Sequence, residues 1–178
     1  CCLTAGHRQA KDKAMTAQIK LKPGDSAPDF SLVGSDGKTY RLADLTGRRI
    51  VLYFYPRNNT PGCTQEACDF RDQQGRFGDT IIFGVSPDSV ASHQRFAAKY
   101  SLPFVLLFDP GSEVAKRYGA YGEKVMYGKT SLGIIRSTFV IDEAGRLAAV
   151  YGKVSIKGHV ERVLSDIGAA SAVGSQHA

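Results

Sequence analysis

The stretch TPGCTQEAC, Thr60 to Cys68, carries two of the chain's four cysteines five positions apart. It follows an unbroken apolar run, Ile50 to Tyr55, and the break at Pro56. Such a run reads as a strand buried on both faces, and the residues from Gly62 to about Gly75 are compatible with a helix. Cys63 then opens a helix just past the carboxyl end of a central strand, the edge at which open α/β sheets build their sites. First-turn N–H groups are unpaired and the helix dipole is positive there, so a thiolate is favoured over a thiol. Cysteines so placed titrate at roughly 3.5–7.5 instead of about 8.5. Cys63 is the candidate nucleophile.

Cys68 diverges from Cys63 by about 140° around a helix axis, with ~7.5 Å of rise between them. A disulfide needs Cα atoms within roughly 4.4–6.8 Å. Either the pair never bonds, or the first turns unwind when it does; the second alternative couples redox state to conformation. Other readings of the pair are a metal site, a static disulfide and two unrelated buried thiols. The first lacks ligands at paired spacing, since His7, His93, His159 and His177 are scattered. The second conflicts with helical geometry. The polar, Gly/Pro-flanked setting of Cys63 speaks against the third.

A thiolate attacking a peroxide O–O bond needs a dry approach and donors for the developing oxyanion. Thr60 precedes Cys63 by three residues, where its hydroxyl can donate to the sulfur or to a peroxide oxygen. Pro56 and Pro61 stiffen the loop and can shield the thiolate. Arg136, directly before the apolar STFVID, can bring a permanent cation to the same sheet edge. Each is bland alone: an isolated Thr is more often a cap, and an isolated Arg more often a surface residue.

The elements that must position these groups are legible in outline. Phe30–Val33 and Lys38–Leu42 flank Ser35-Asp36-Gly37 as an N-terminal hairpin. Thr80–Ser86 and Pro103–Asp109 are further buried strands. Ser86–Ser89 carries cap signals for a helix to about Tyr100, with Val90, Phe96 and Ala97 on its inner side. Gly111–Tyr118 is a short helix. Ser137–Asp142 and Arg146–Gly152 form a second hairpin around Glu143-Ala144-Gly145, and Ile156–Ile167 is an amphipathic closing helix. This order predicts an α/β fold, a central mixed sheet with helices on both faces.

The run YFYPRNNTPGCTQEACDFRD, with Pro56, Thr60 and Cys63 in the pattern P-x-x-x-T-x-x-C, strongly resembles the peroxiredoxins. The Cys63/Cys68 spacing is similar to that of their bacterioferritin comigratory protein/peroxiredoxin Q branch. The likeness continues through GVSPDSVASHQRFAAKY, LPFVLLFD and YGEKVMYGKTSLGIIRSTFVID to about residue 167. It implies a thioredoxin-like fold and a thiol-dependent peroxidase acting on hydrogen peroxide and organic hydroperoxides. By that likeness Cys63 is the peroxidatic cysteine, Thr60 and Arg136 complete its activating set, Pro56 shields it and Cys68 is the resolving cysteine. It further implies recycling by thioredoxin or a similar dithiol, no cofactor, no metal, and a monomer. Two rival readings use the same residues. A thioredoxin-type disulfide oxidoreductase normally wants C-x-x-C, which is missing here. A peroxide-sensing redox switch would stop after about one peroxide per chain.

With 178 residues, 43% hydrophobic and 22% charged, the chain suits one globular domain, expected over residues 23–168, with 169–178 frayed. The formal charge of +6 invites a nucleic-acid reading. Most of the excess, however, lies before Pro23, where Arg8, Lys11, Lys13, Lys20 and Lys22 face only Asp12. Residues 1–22 therefore read as a flexible, solvated basic tail, and no specific nucleic-acid partner is expected. No apolar stretch approaches the ~20 residues of a membrane-spanning helix. The expected location is the cytoplasm, or the envelope if Cys1 is a lipid-carrying cysteine left by processing. Cys1 and Cys2 are given no redox role.

Overall fold

The computed structural model describes residues 21–174 apart from positions 46, 59, 127, 153 and 155. The basic tail before residue 21, with Cys1 and Cys2, lies outside the described residues, as do the last four positions.

The apolar run forms the central strand β3 (Ile50–Phe54), every residue of which is buried. Alternation across a strand explains why no polar residue interrupts it. Ile50, Leu52 and Phe54 enter one core and Val51, Tyr53 and Tyr55 the other. β3 runs parallel to β4 (Ile81–Ser86), and β4 parallel to β5 (Val105–Phe108). The N-terminal hairpin, β1 (Ser31–Gly34) and β2 (Thr39–Arg41), extends the sheet beyond β5. β8 (Ser137–Ile141) and β9 (Leu147–Tyr151) extend it antiparallel beyond β3. The seven strands lie in the order β2-β1-β5-β4-β3-β8-β9, a mixed sheet as the sequence predicts.

Three helices, α1 (Pro61–Asp72), α2 (Val90–Tyr100) and α4 (His159–Gly174), contribute to one core, and α3 (Glu113–Tyr118) to the other. Ser89 caps α2 by accepting from the Ser92 N–H. On α2 the fully buried side chains are Phe96 and His93, whereas Val90 and Ala97 are only half-buried. Tyr53 lies across Gly84 of β4: a Cβ at Gly84 would sit 2.6 Å from the Tyr53 hydroxyl, so only glycine fits there.

Two boundaries differ from expectation. α4 begins at His159 and continues past Ile167 to Gly174, so the residues expected to fray are helical to that point. The alanine-rich GAASAV favours helix strongly enough to carry Gly168. Residues 121–134, unread as elements from sequence, form a separate two-stranded sheet, β6 (Tyr121–Met126) with β7 (Lys129–Ile134). Its strand β7 is exposed from Lys129 to Leu132, so it lacks the apolar alternation that announces a half-buried strand. Among the described residues, no helix is long and apolar enough to cross a membrane.

Candidate active site

β3 delivers the chain to its carboxyl edge, where Tyr55–Thr60 turn into α1. Thr60 is the N-cap in extended conformation and Pro61 occupies the first turn, where its missing N–H costs nothing. The first helical bond runs from the Thr64 N–H to the Thr60 carbonyl, 2.9 Å. The N–H groups of Gly62 and Cys63 precede it and belong to the positive end of the helix. Cys63 is 1% exposed.

Arg136 reaches this point because β8 pairs antiparallel with β3. Ser137 stands opposite Phe54, so the preceding residue lies at the carboxyl end of β3. Its Nη2 donates to Cys63 Sγ at 3.2 Å and its Nη1 to Glu66 Oε1 at 3.2 Å. A guanidinium aimed at sulfur stabilises the thiolate more than the thiol. Gly62 makes room for it: a Cβ there would lie 3.2 Å from Arg136 Nη2 and 2.9 Å from Ile156 Cδ1.

Glu66 carries no sequence signal beyond its i+3 spacing from Cys63, which places both on one helix face. It is 1% exposed, and its Oε2 has no hydrogen-bond partner among the described residues. Burial raises its pKa to about 7, outweighing the opposing pull of Arg136. A carboxyl raised in the folded state binds protons more tightly than in the unfolded chain. Its contribution to stability is therefore full below about pH 4.5 and lost as pH rises through 7. We expect Glu66→Gln to flatten the fall in stability across that window, by on the order of 3 kcal/mol. Urea melts at several pH values read this out; an unchanged slope would remove Glu66 from the balance.

Thr60 has a local partner in the resting site. Its hydroxyl donates to the Arg57 carbonyl at 3.1 Å, so its one hydrogen is directed away from the sulfur. The turn brings the i−3 carbonyl within reach, a local bond that threonine readily makes. Pro56, Thr60 and Arg136 nevertheless line one groove of about 790 Å³, completed by Pro87, Tyr121 and Leu132. Leu132 is 68% exposed on β7. Cys63 does not itself line this groove, but its chain neighbour Gly62 and its partner Arg136 do.

Cys68 is half-buried, and both cysteines are free thiols on a helix unbroken from Pro61 to Asp72. The structure thus gathers Cys63, Arg136, Pro56 and Thr60 at one sheet edge and leaves Cys68 more than a helical turn away.

Residues 23–150 match the AhpC/TSA family model. The chain is 47% identical to peroxiredoxin Bcp of Bacillus subtilis over 151 residues, covering 84% of this chain and 96% of that protein. Among solved structures, a cysteine-to-serine mutant of PrxQ from Xylella fastidiosa superposes with a TM-score of 0.79 at 34% identity, covering 85% of this chain and 98% of that one. The bacterioferritin comigratory protein of Xanthomonas campestris does so with a TM-score of 0.77 at 36% identity, covering 86% and 99%. The mixed sheet with helices on both faces is thus the thioredoxin-like fold of these proteins. On sequence and fold alike, the chain belongs to the AhpC/TSA family and, within it, to the peroxiredoxins of the bacterioferritin comigratory protein/peroxiredoxin Q branch.

Proposed function

We propose that this thiol peroxidase works through Cys63, resolves through Cys68 and is recycled by thioredoxin or a similar dithiol. The observation that carries the reading is the Arg136 Nη2–Cys63 Sγ contact, 3.2 Å, in the first turn of a helix, made by an arginine that also lines the groove. The Cys63 thiolate attacks the terminal peroxide oxygen, forming S–O as O–O breaks. The departing alkoxide or hydroxide takes up a proton and leaves as alcohol or water, and Cys63 becomes a sulfenic acid. Arg136 offers the developing negative charge a fixed donor. Thr60 and Pro56 border the approach, Thr60 turning its hydroxyl toward the peroxide when one is bound.

The first turns of α1 then unwind and Cys68 attacks Cys63. The S–S bond forms, S–O breaks, and hydroxide leaves with the thiol proton as water. Exchange with an external dithiol restores both thiols. These steps balance with thiols and peroxide alone. Both sulfurs belong to one helix of one chain, so a monomer is a complete catalytic unit. Reduced dithiols are kept in the cytoplasm, which is where we place its work.

The groove's proline, tyrosine and leucine walls suit an apolar substituent on the peroxide. The Xanthomonas campestris protein is described as having alkyl peroxide reduction activity, and we extend that activity to this chain. The test is a coupled assay in which thioredoxin, its reductase and NADPH regenerate the protein, with cumene hydroperoxide and hydrogen peroxide as alternatives. Sustained NADPH oxidation, with the lower KM for the cumene substrate, is expected. Consumption that stops near one peroxide per chain would leave a sensor, not an enzyme.

A further inference from the structure

The loop that leads into α1 and Cys63 is tied to the segment around α2 through Asn58, a residue that the chemistry above does not use. Asn58, 6% exposed, stands between Pro56 and Thr60. Its backbone N–H donates to Asp88 Oδ2 at 2.6 Å. Its side chain accepts from the Tyr55 hydroxyl at 2.6 Å and donates to Ser92 Oγ at 3.0 Å. The same Nδ2 is 3.0 Å from Nδ1 of His93, which is fully buried, and the Tyr55 hydroxyl is 3.3 Å from that nitrogen. Burial disfavours the charged imidazole, so His93 offers Nδ1 as an acceptor.

Both ends of this network are fixed. Tyr55 is buried and its N–H is held by the Val85 carbonyl at 3.1 Å. Ser92 and His93 sit in the first turns of α2, capped by Ser89. Elsewhere in the loop, Pro56 and Pro61 have no N–H to donate, and the Thr60 hydroxyl bonds within the loop. Buried hydrogen bonds of this kind favour one loop geometry, although Nε2 of His93 has no hydrogen-bond partner among the described residues.

We infer that Asn58 and His93 are positioning residues that latch the Cys63 loop, setting the balance between the folded form that reacts with peroxide and the unwound form in which Cys63 meets Cys68. The inference rests on the roles given above to those two thiols. It assigns the latch opposite effects on the two steps. Holding the loop keeps Cys63 beside Arg136 for the first, and delays unwinding for the second.

The experiment is a single turnover of the purified chain with cumene hydroperoxide, quenched with acid and followed by mass spectrometry. It separates oxidation of Cys63 from formation of the disulfide. In Asn58→Ala and His93→Leu, oxidation slows and disulfide formation quickens, so that the ratio of the first rate to the second falls about tenfold in total, the effect of one weakened buried hydrogen bond. Overoxidation at high peroxide falls in step. His93→Asn, which returns an acceptor near the place of Nδ1, keeps both rates close to those of the natural sequence. Ser92→Ala removes a single contact of Asn58 and shows the same opposed changes on a smaller scale, which serves if the larger substitutions prevent folding. A purely structural network would lower the melting temperature and move both rates down together, or move neither; either result overturns the inference. If the natural chain forms no Cys63–Cys68 disulfide at all, the roles of the thiols are wrong and the latch falls with them. A natural chain that forms the bond, beside variants whose rates do not move, sinks the latch alone.

Discussion

Replacing Cys63 with serine is expected to abolish peroxide reduction, by more than about 10⁴-fold, while leaving the fold intact. Removing the nucleophile of a covalent mechanism costs on the order of 10⁴–10⁶ in other enzymes, since the remaining groups only bind and orient. The case here is stronger because all the stabilisation gathered at this edge acts on an anion. The first-turn N–H groups of α1 and the Arg136 guanidinium favour negative charge at the position of Sγ. A serine hydroxyl in the same place stays neutral at any physiological pH and is a poor nucleophile toward an O–O bond. Its burial costs about 1 kcal/mol at most, because Arg136 remains as a hydrogen-bond partner. Peroxide consumption and far-ultraviolet circular dichroism, measured on the same sample, separate loss of chemistry from loss of fold. Turnover retained by a folded Cys63→Ser protein would end the nucleophile assignment.

Arg136→Ala is the second large effect, a loss of about 10²–10³ in the rate of Cys63 oxidation. That is the usual consequence of deleting one preorganised donor to a developing oxyanion. The guanidinium serves two buried groups at once, Cys63 Sγ through Nη2 and Glu66 Oε1 through Nη1. Lysine, a single point charge, cannot reproduce that fork, so Arg136→Lys recovers only part of the rate. Removing Arg136 also strands the Glu66 carboxyl, and breaking a buried pair on one side is costly. The double variant Arg136→Ala/Glu66→Gln separates the two consequences. It regains stability in urea melts yet stays as slow as the single variant. Recovery of the rate in the double variant would mean that Arg136 acts by neutralising Glu66, not by serving the sulfur.

Much of this edge was legible in the residues because its logic is one-dimensional. Ile50 to Tyr55 could be apolar without a break only by feeding two cores, which makes β3 central. Arg136 could be placed because the strand behind it is buried and must pair somewhere central. The capping run Ser86–Ser89 stops β4 and starts α2 where expected. What stayed hidden depends on partners distant in sequence. Glu66 looks like a solvated helix residue until Arg136 closes over it. His93 sits three residues before Phe96 on one helix face, but its histidine type gave no hint that Asn58 would claim its ring. The resting partner of the Thr60 hydroxyl, its i−3 carbonyl, was not read from the sequence because a local bond of this kind depends on how the turn folds. The β6–β7 hairpin escaped because it packs little of β7 away from water.

The most direct test of the central claim, that Cys63 reacts and Cys68 reaches it only as the helix opens, is peptide mass spectrometry after one equivalent of peroxide. The natural chain should yield a single peptide with Cys63 and Cys68 joined, and amide hydrogen exchange over the first turns of α1 should rise in that oxidised state. Cys68→Ser should instead carry one added oxygen on Cys63. An oxidised protein in which the first turns of α1 exchange as slowly as when reduced, or in which the oxygen lands on Cys68, would contradict the account.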